Sequence, residues 1–161
     1  MTSLARVLGV LLLVSGATLA SAAGPVRPFT ADSFEKILAA RADRPFLLAL
    51  WSVTCAHCPV ELRTLGELQR RHPQLDIVLV ATDTPADADD AARLAREYGL
   101  GGTEQWIFAD AMPERLRMAI DRRWHGELPR TYFFDRAHRV EAQSGVASAA
   151  RFDSWIRKNI R

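Results

Sequence analysis

The sequence predicts an α/β protein with a mixed central sheet and helices on both faces. Three observations carry this. Phe46 to Trp51 is a continuous apolar run of strand length, and Asp76 to Ala81 is rich in Val and Ile, as in strands covered on both sides. Stretches of helical period alternate with these runs. The alternation then closes with a hairpin and a final helix, which adds an antiparallel pair to a sheet begun by strand–helix crossovers. A length of 161 residues suits one domain, and 48% hydrophobic with 25% charged residues is an ordinary globular composition. Disordered tails, collagens and coiled-coil rods are excluded.

Taken in order, Gly24 to Pro28 reads as an extended lead-in, and Thr30 as the cap of a helix with Phe34, Ile37 and Leu38 inward. Arg44-Pro45 stops that helix before the first strand. A turn follows, then a helix to about Arg71 with Leu62, Leu65 and Leu68 inward, ended by His72-Pro73. After the second strand, Ala88, Ala91, Ala92, Ala95 and Tyr98 mark a helix that Gly99 to Gly102 breaks. Trp106 to Phe108 reads as a strand, and Met112 to Trp124 as a helix with Leu116, Ile120 and Trp124 on one face. Thr131 to Phe134 and Arg139 to Gln143 form a hairpin across Asp135 to His138. Ser148 caps the last helix, which buries Phe152, Trp155, Ile156 and Ile160.

Before all this stands a segment that reads as a secretion signal, residues 1–22. Met1 to Arg6 carries one positive charge, Val7 to Val14 is apolar apart from Gly9, and Ala20-Ser21-Ala22 has the form of a signal-peptidase site. Cleavage is expected after Ala22, with Ala23 as second choice, leaving one domain over 23–161. The rival reading is an uncleaved anchor. The 17 residues from Val7 to Ala23 are interrupted by Ser15, Gly16, Thr18 and Ser21 and fall short of the roughly 20 apolar residues a span needs. Net charge is +2, so no nucleic-acid partner is expected.

The chemistry concentrates at Cys55-Ala56-His57-Cys58, which holds both cysteines of the chain. Two cysteines cannot make a four-cysteine zinc site, and in an exported chain a redox pair is possible. The pair stands where a buried strand gives way to a helix. A cysteine at a helix N-terminus meets unpaired N–H groups and the positive end of the dipole, which favour the thiolate, the attacking species. Cys55 is therefore expected to be the exposed nucleophile and Cys58 the buried resolving thiol. Pro59 suits the first helical turn. The ring of His57, between the thiols, is expected to stabilise the Cys55 thiolate and make the disulfide more oxidising.

The segment from Leu48 through Trp51 and Cys55-Ala56-His57-Cys58-Pro59 to Leu62 resembles the active-site region of the thioredoxin-like superfamily. It is most similar to the exported TlpA/ResA-type thiol-disulfide oxidoreductases. Leu128-Pro129-Arg130-Thr131-Tyr132-Phe133-Phe134-Asp135 resembles their cis-proline segment, and Gly145 their glycine after the hairpin. The likeness covers most of the chain after residue 22. It implies a thioredoxin-like fold with an extra strand–helix insertion before the cis-proline. It implies a redox disulfide Cys55–Cys58, a cis bond at Pro129, and substrate contacts at Leu128 and at Thr54, the residue before the first cysteine. Thr54 stands where the family usually has Trp, and Ala56-His57 is closer to the Pro-His of the strongly oxidising DsbA type.

The resulting expectation is a periplasmic thiol-disulfide oxidoreductase, a monomer without cofactor or metal. It would act on exported cysteine-containing proteins and exchange electrons with a membrane thiol-disulfide partner. The family leans towards a reductase, possible in cytochrome c maturation, whereas His57 leaves oxidase or isomerase open. The alternative is a thioredoxin-like copper chaperone using Cys55, Cys58 and a histidine, His57 or His125. Asp83, at the end of the second buried strand, reads as a turn residue, with assistance to the buried cysteine as the second possibility. Trp51 and Trp106 read as core.

Overall fold

The computed structural model describes residues 24–160. The expected signal at 1–22 lies outside them. The elements are β1 (Arg27–Phe29), α1 (Ser33–Ala39), β2 (Phe46–Trp51), α2 (Cys58–Arg71), β3 (Ile77–Ala81), α3 (Ala88–Glu97), β4 (Glu104–Phe108), α4 (Pro113–Ile120), β5 (Arg130–Phe134), β6 (Val140–Ser144) and α5 (Ala149–Asn159). Strand order is β1-β4-β3-β2-β5-β6. The first four strands are mutually parallel, and β5 and β6 are antiparallel to their neighbours. No described helix is long and apolar enough to cross a membrane.

Every residue of β2 and β3 is buried, because the sheet is covered on both sides. Side-chain alternation then divides β2 between two cores. Leu47, Ala49 and Trp51 pack with Leu62, Leu65 and Leu68 of α2 and with Phe152, Trp155 and Ile156 of α5. Phe46, Leu48 and Leu50 pack with Ile37 of α1 and Leu116 and Ile120 of α4. Gly66, inside α2, is required by close packing: a Cβ there would lie 1.8 Å from the Tyr98 carbonyl oxygen at the end of α3.

Three elements differ from the sequence reading. The lead-in contains a strand, β1, because Arg27–Phe29 finds a parallel partner in β4 about eighty residues away. Pro28 is tolerated there because β1 is an edge strand. Thr30 does not cap α1. Its N–H donates to Ser33 Oγ at 2.9 Å and its carbonyl accepts from Ser33 N–H at 3.0 Å, so it forms the preceding turn and Asp32 takes the N-cap position. Finally, α4 stops at Ile120. Asp121 is drawn into extended backbone, where its carboxylate accepts from Arg123 N–H and pairs with Arg130. Trp124 is buried all the same, on a turn closed by its own N–H to the Asp121 carbonyl at 3.0 Å.

Candidate active site

Cys55 and Cys58 follow the C-terminal end of β2, the end of an open α/β sheet where ligands commonly bind. The loop between β2 and α2 is held by Asp83, just past β3. Its carboxylate accepts from Ser52 Oγ at 2.7 Å and from Val53 N–H at 3.0 Å. Ser52 Oγ in turn lies 3.0 Å from Thr54 Oγ1 and accepts from Thr54 N–H at 3.1 Å. Asp83 therefore takes the turn role, as a brace for the loop that carries Cys55. Thr54 is exposed on that loop. Trp51 is buried in the core beneath it, and its indole N–H has no partner among the described residues.

The two cysteines form a disulfide, with an S–S distance of 2.11 Å. The helix begins at Cys58, so Cys55 sits in the turn before it and not on its first residue. The consequence expected of a helix terminus survives this shift. Cys58 N–H, one of the N–H groups the helix leaves unpaired, donates to Cys55 Sγ at 3.1 Å. Cys55 is partly exposed, whereas Cys58 is 0% exposed. Pro59 occupies the first turn of α2. His57 takes the N-cap position, is exposed, and makes no side-chain capping hydrogen bond. Its ring is open to solvent and makes no hydrogen bond to sulfur in this oxidised form.

Opposite the cysteines comes the loop before β5. The Leu128–Pro129 peptide bond is cis, as the resemblance implied. Pro129 is buried, and its carbonyl accepts from Gly145 N–H at 2.8 Å. Gly145 has φ +74°, a conformation glycine adopts without steric penalty. Leu128 packs against the same core as Cys55 and Cys58. Among the described residues its backbone N–H and C=O take no hydrogen-bond partner, so both remain free to pair with an extended chain.

Glu61 is the site residue that sequence reasoning missed. It lies one helical turn after Cys58 on the buried face of α2 and is 1% exposed. Its carboxylate accepts from Thr131 Oγ1 at 2.6 Å and from Ala147 N–H at 2.8 Å. It thus joins α2, β5 and the turn before α5 beneath the disulfide. Burial pushes its pKa up, and these two hydrogen bonds oppose that only in part. A carboxyl whose proton is held more tightly than usual, one helical turn from a buried thiol, is suited to accept a proton from it. The sequence does hold a signal: a glutamate between Cys58 and Leu62, on a face otherwise apolar.

Glu61→Gln tests the burial penalty. A raised folded-state pKa means that the protonated form suits the fold and that stability falls as pH rises through it. The amide can accept from Ala147 N–H and donate to Thr131 Oγ1, so the hydrogen bonds survive. The variant should therefore gain stability over wild type as pH rises from 4 to 8, read by urea denaturation. A gap independent of pH would contradict the shift.

Among the described residues no group of three or more His, Cys, Asp or Glu side chains is arranged to hold a metal ion. A copper site would have the two sulfurs and no assembled third donor.

The solved structures similar to this chain share one fold. They include a secreted Mycobacterium tuberculosis disulfide oxidoreductase described as homologous to Escherichia coli DsbE, at 18% identity, TM-score 0.59, over 74% of this chain and 85% of that one. They also include a thiol:disulfide interchange protein of the thioredoxin family from Chlorobium tepidum, at 16% identity, TM-score 0.60, over 76% and 84%. StoA from Bacillus subtilis matches at 16% identity, TM-score 0.52, over 71% and 83%. No family profile matches the chain, and no curated protein does. At these identities the likeness establishes the fold, and the fold is thioredoxin-like.

Proposed function

We propose that the protein is a thiol-disulfide oxidoreductase that exchanges disulfides with exported proteins through Cys55 and Cys58. The observation that carries this reading is the asymmetry of the pair: a partly exposed Cys55 sulfur accepting a helix-terminal N–H, and a Cys58 sulfur sealed in the core. The solved structures of the same fold named as disulfide oxidoreductase and thiol:disulfide interchange protein support it.

Starting from the dithiol, the Cys55 thiolate attacks one sulfur of a substrate disulfide. A mixed disulfide forms and one substrate thiolate leaves. Cys58 then loses its proton and attacks Cys55 Sγ, closing the Cys55–Cys58 disulfide and releasing the second substrate thiolate. Two electrons pass to the substrate. Glu61, the buried carboxyl nearest along α2, is the group we assign to receive the Cys58 proton. The free N–H and C=O of Leu128 pair with the substrate backbone, with Thr54 at the rim. A membrane thiol-disulfide partner restores the dithiol. The same steps in reverse oxidise a dithiol substrate. We favour the reductive direction, in the periplasm, after removal of 1–22, with apocytochrome c as a candidate client and the protein acting as a monomer.

Cys58→Ser tests this reading. Attack survives and resolution does not, so mixed disulfides with exported proteins should accumulate and disappear on reduction. Their absence, with Cys55 reduced and reactive, would contradict it.

His57→Pro bears on direction. The imidazole helps hold the Cys55 thiolate in the reduced form, so its loss disfavours the dithiol and lowers the potential. The expected drop is about 30 mV, which corresponds to roughly 1.4 kcal/mol. An unchanged potential in a glutathione titration would remove the reason to consider an oxidase.

A further inference from the structure

Arg130 follows the cis-proline directly, and each of its three guanidinium nitrogens donates a hydrogen bond. Nη2 donates to Asp121 Oδ2 at 2.7 Å, Nη1 to Ser144 Oγ at 2.6 Å, and Nε to Tyr132 Oη at 2.7 Å. The Arg130 and Asp121 side chains are 11% and 12% exposed, which removes most solvent competition for the pair. Burial, the main cause, pushes the Tyr132 phenol up to about 12. Its hydroxyl therefore stays protonated, accepting from Arg130 while lying 3.4 Å from Asp121 Oδ2.

The placement of these partners is what matters. Asp121 and Arg130 are the two ends of the segment that carries Leu128 and Pro129, so their ion pair closes that segment into a loop. Inside it, Trp124 Nε1 donates to the Glu127 carbonyl at 3.0 Å, and His125 N–H donates to Glu127 Oε2 at 3.0 Å. Ser144 precedes Gly145, whose N–H holds the Pro129 carbonyl. One side chain thus fixes the entry to the loop at the end of α4, and through β6 the strand that grips Pro129. Arginine suits this because its planar fork donates in several fixed directions at once, which lysine cannot do.

We infer that Arg130 is a positioning residue for polypeptide substrates: by clamping the 121–130 loop it holds the free N–H and C=O of Leu128 where a chain linked to Cys55 can pair with them. The inference rests on the oxidoreductase reading. It assigns Arg130 to recognition of an extended chain and not to the sulfur chemistry, because none of its partners is Cys55, Cys58 or Glu61.

The test compares two disulfides on the purified protein. Insulin presents polypeptide backbone, whereas 5,5′-dithiobis(2-nitrobenzoate) presents none. Arg130→Met should reduce kcat/KM with insulin about tenfold, mostly through KM, because all three hydrogen bonds that clamp the loop are lost together. Its rate with the small disulfide should stay within about twofold of wild type, and its reduction potential should not move. Ser144→Ala, which removes one bond and keeps the charge pair, should show the same split at smaller size and covers the case in which Arg130→Met folds poorly. Equal reductions on both disulfides, or unchanged kinetics with insulin, would overturn the inference. A wild-type protein inert towards both would instead overturn the oxidoreductase reading on which it rests.

Discussion

Cys55→Ser is expected to abolish disulfide exchange, with a loss of at least roughly a thousandfold, the scale seen when a covalent nucleophile is removed. A serine hydroxyl in the same turn still receives the Cys58 N–H, but it cannot form a mixed disulfide. Cys58 cannot substitute for it, since it is 0% exposed within the core between the sheet and α2. The Cys58→Ser protein should behave differently, completing one attack and stopping. Insulin reduction, with mass spectrometry of the trapped species, separates the two variants. Equal residual activity in both would mean that the cysteines are interchangeable, contrary to their burial.

The largest effect on stability is expected at the other end of the strands. Arg41, 5% exposed, donates through Nη2 to Asp76 Oδ1 at 2.9 Å and to Glu104 Oε2 at 2.8 Å, and its guanidinium lies over the Phe46 ring. It thereby ties the end of α1 to the starts of β3 and β4. Arg41→Met would remove the one buried cation that Asp76 and Glu104 share, leaving each carboxylate only a more exposed partner, Arg44 and Arg27 respectively. Breaking a fully buried pair costs about 3–5 kcal/mol. Asp76 and Glu104 keep 25% and 23% exposure, so solvent screens part of this and about 2 kcal/mol is expected.

Acid should erase that difference. Burial raises Glu104, but the hydrogen bond and charge of Arg41, with smaller contributions from Trp106 and Arg27, outweigh it and leave the pKa below its ordinary value. A lowered folded-state pKa gives stability that is present above the unfolded carboxyl range and is lost as pH falls through the folded value. Urea denaturation at pH 7 should therefore separate wild type from Arg41→Met, and the gap should narrow below about pH 4. Exchange activity of the folded variant at 25 °C should be kept, because the cysteines lie at the opposite ends of the strands. A constant gap across pH would show that Arg41 acts by packing alone.

Most of this architecture is legible in the sequence because its signals are local. The apolar run from Phe46 to Trp51 marks a buried strand, and the Cys55-Ala56-His57-Cys58 motif at its end marks the site. Pro129 is different: by composition an ordinary proline before a strand, it reads as cis only through the family resemblance. What escapes depends on partners far along the chain. A three-residue β1 becomes a strand only when β4 is beside it. The pull of Arg130 on Asp121 ends α4 one turn before the apolar periodicity does. Glu61 gains its meaning from Thr131 and Ala147, some seventy and more residues away. Asp83, the acid that the sequence offers for assistance to Cys58, spends its carboxylate on Ser52 and Val53, and the buried acid is on α2 instead.

The central claim is that Cys55–Cys58 is a working redox couple and not a structural crosslink. A titration of the purified protein against glutathione and dithiothreitol buffers, read by alkylation and mass, measures this directly. A reversible two-electron transition is expected between about −270 mV, the thioredoxin end, and about −120 mV, the DsbA end. A value near the first supports a reductase, and one near the second an oxidase. A disulfide that stays closed until below about −300 mV, the range of structural bridges, would contradict the account.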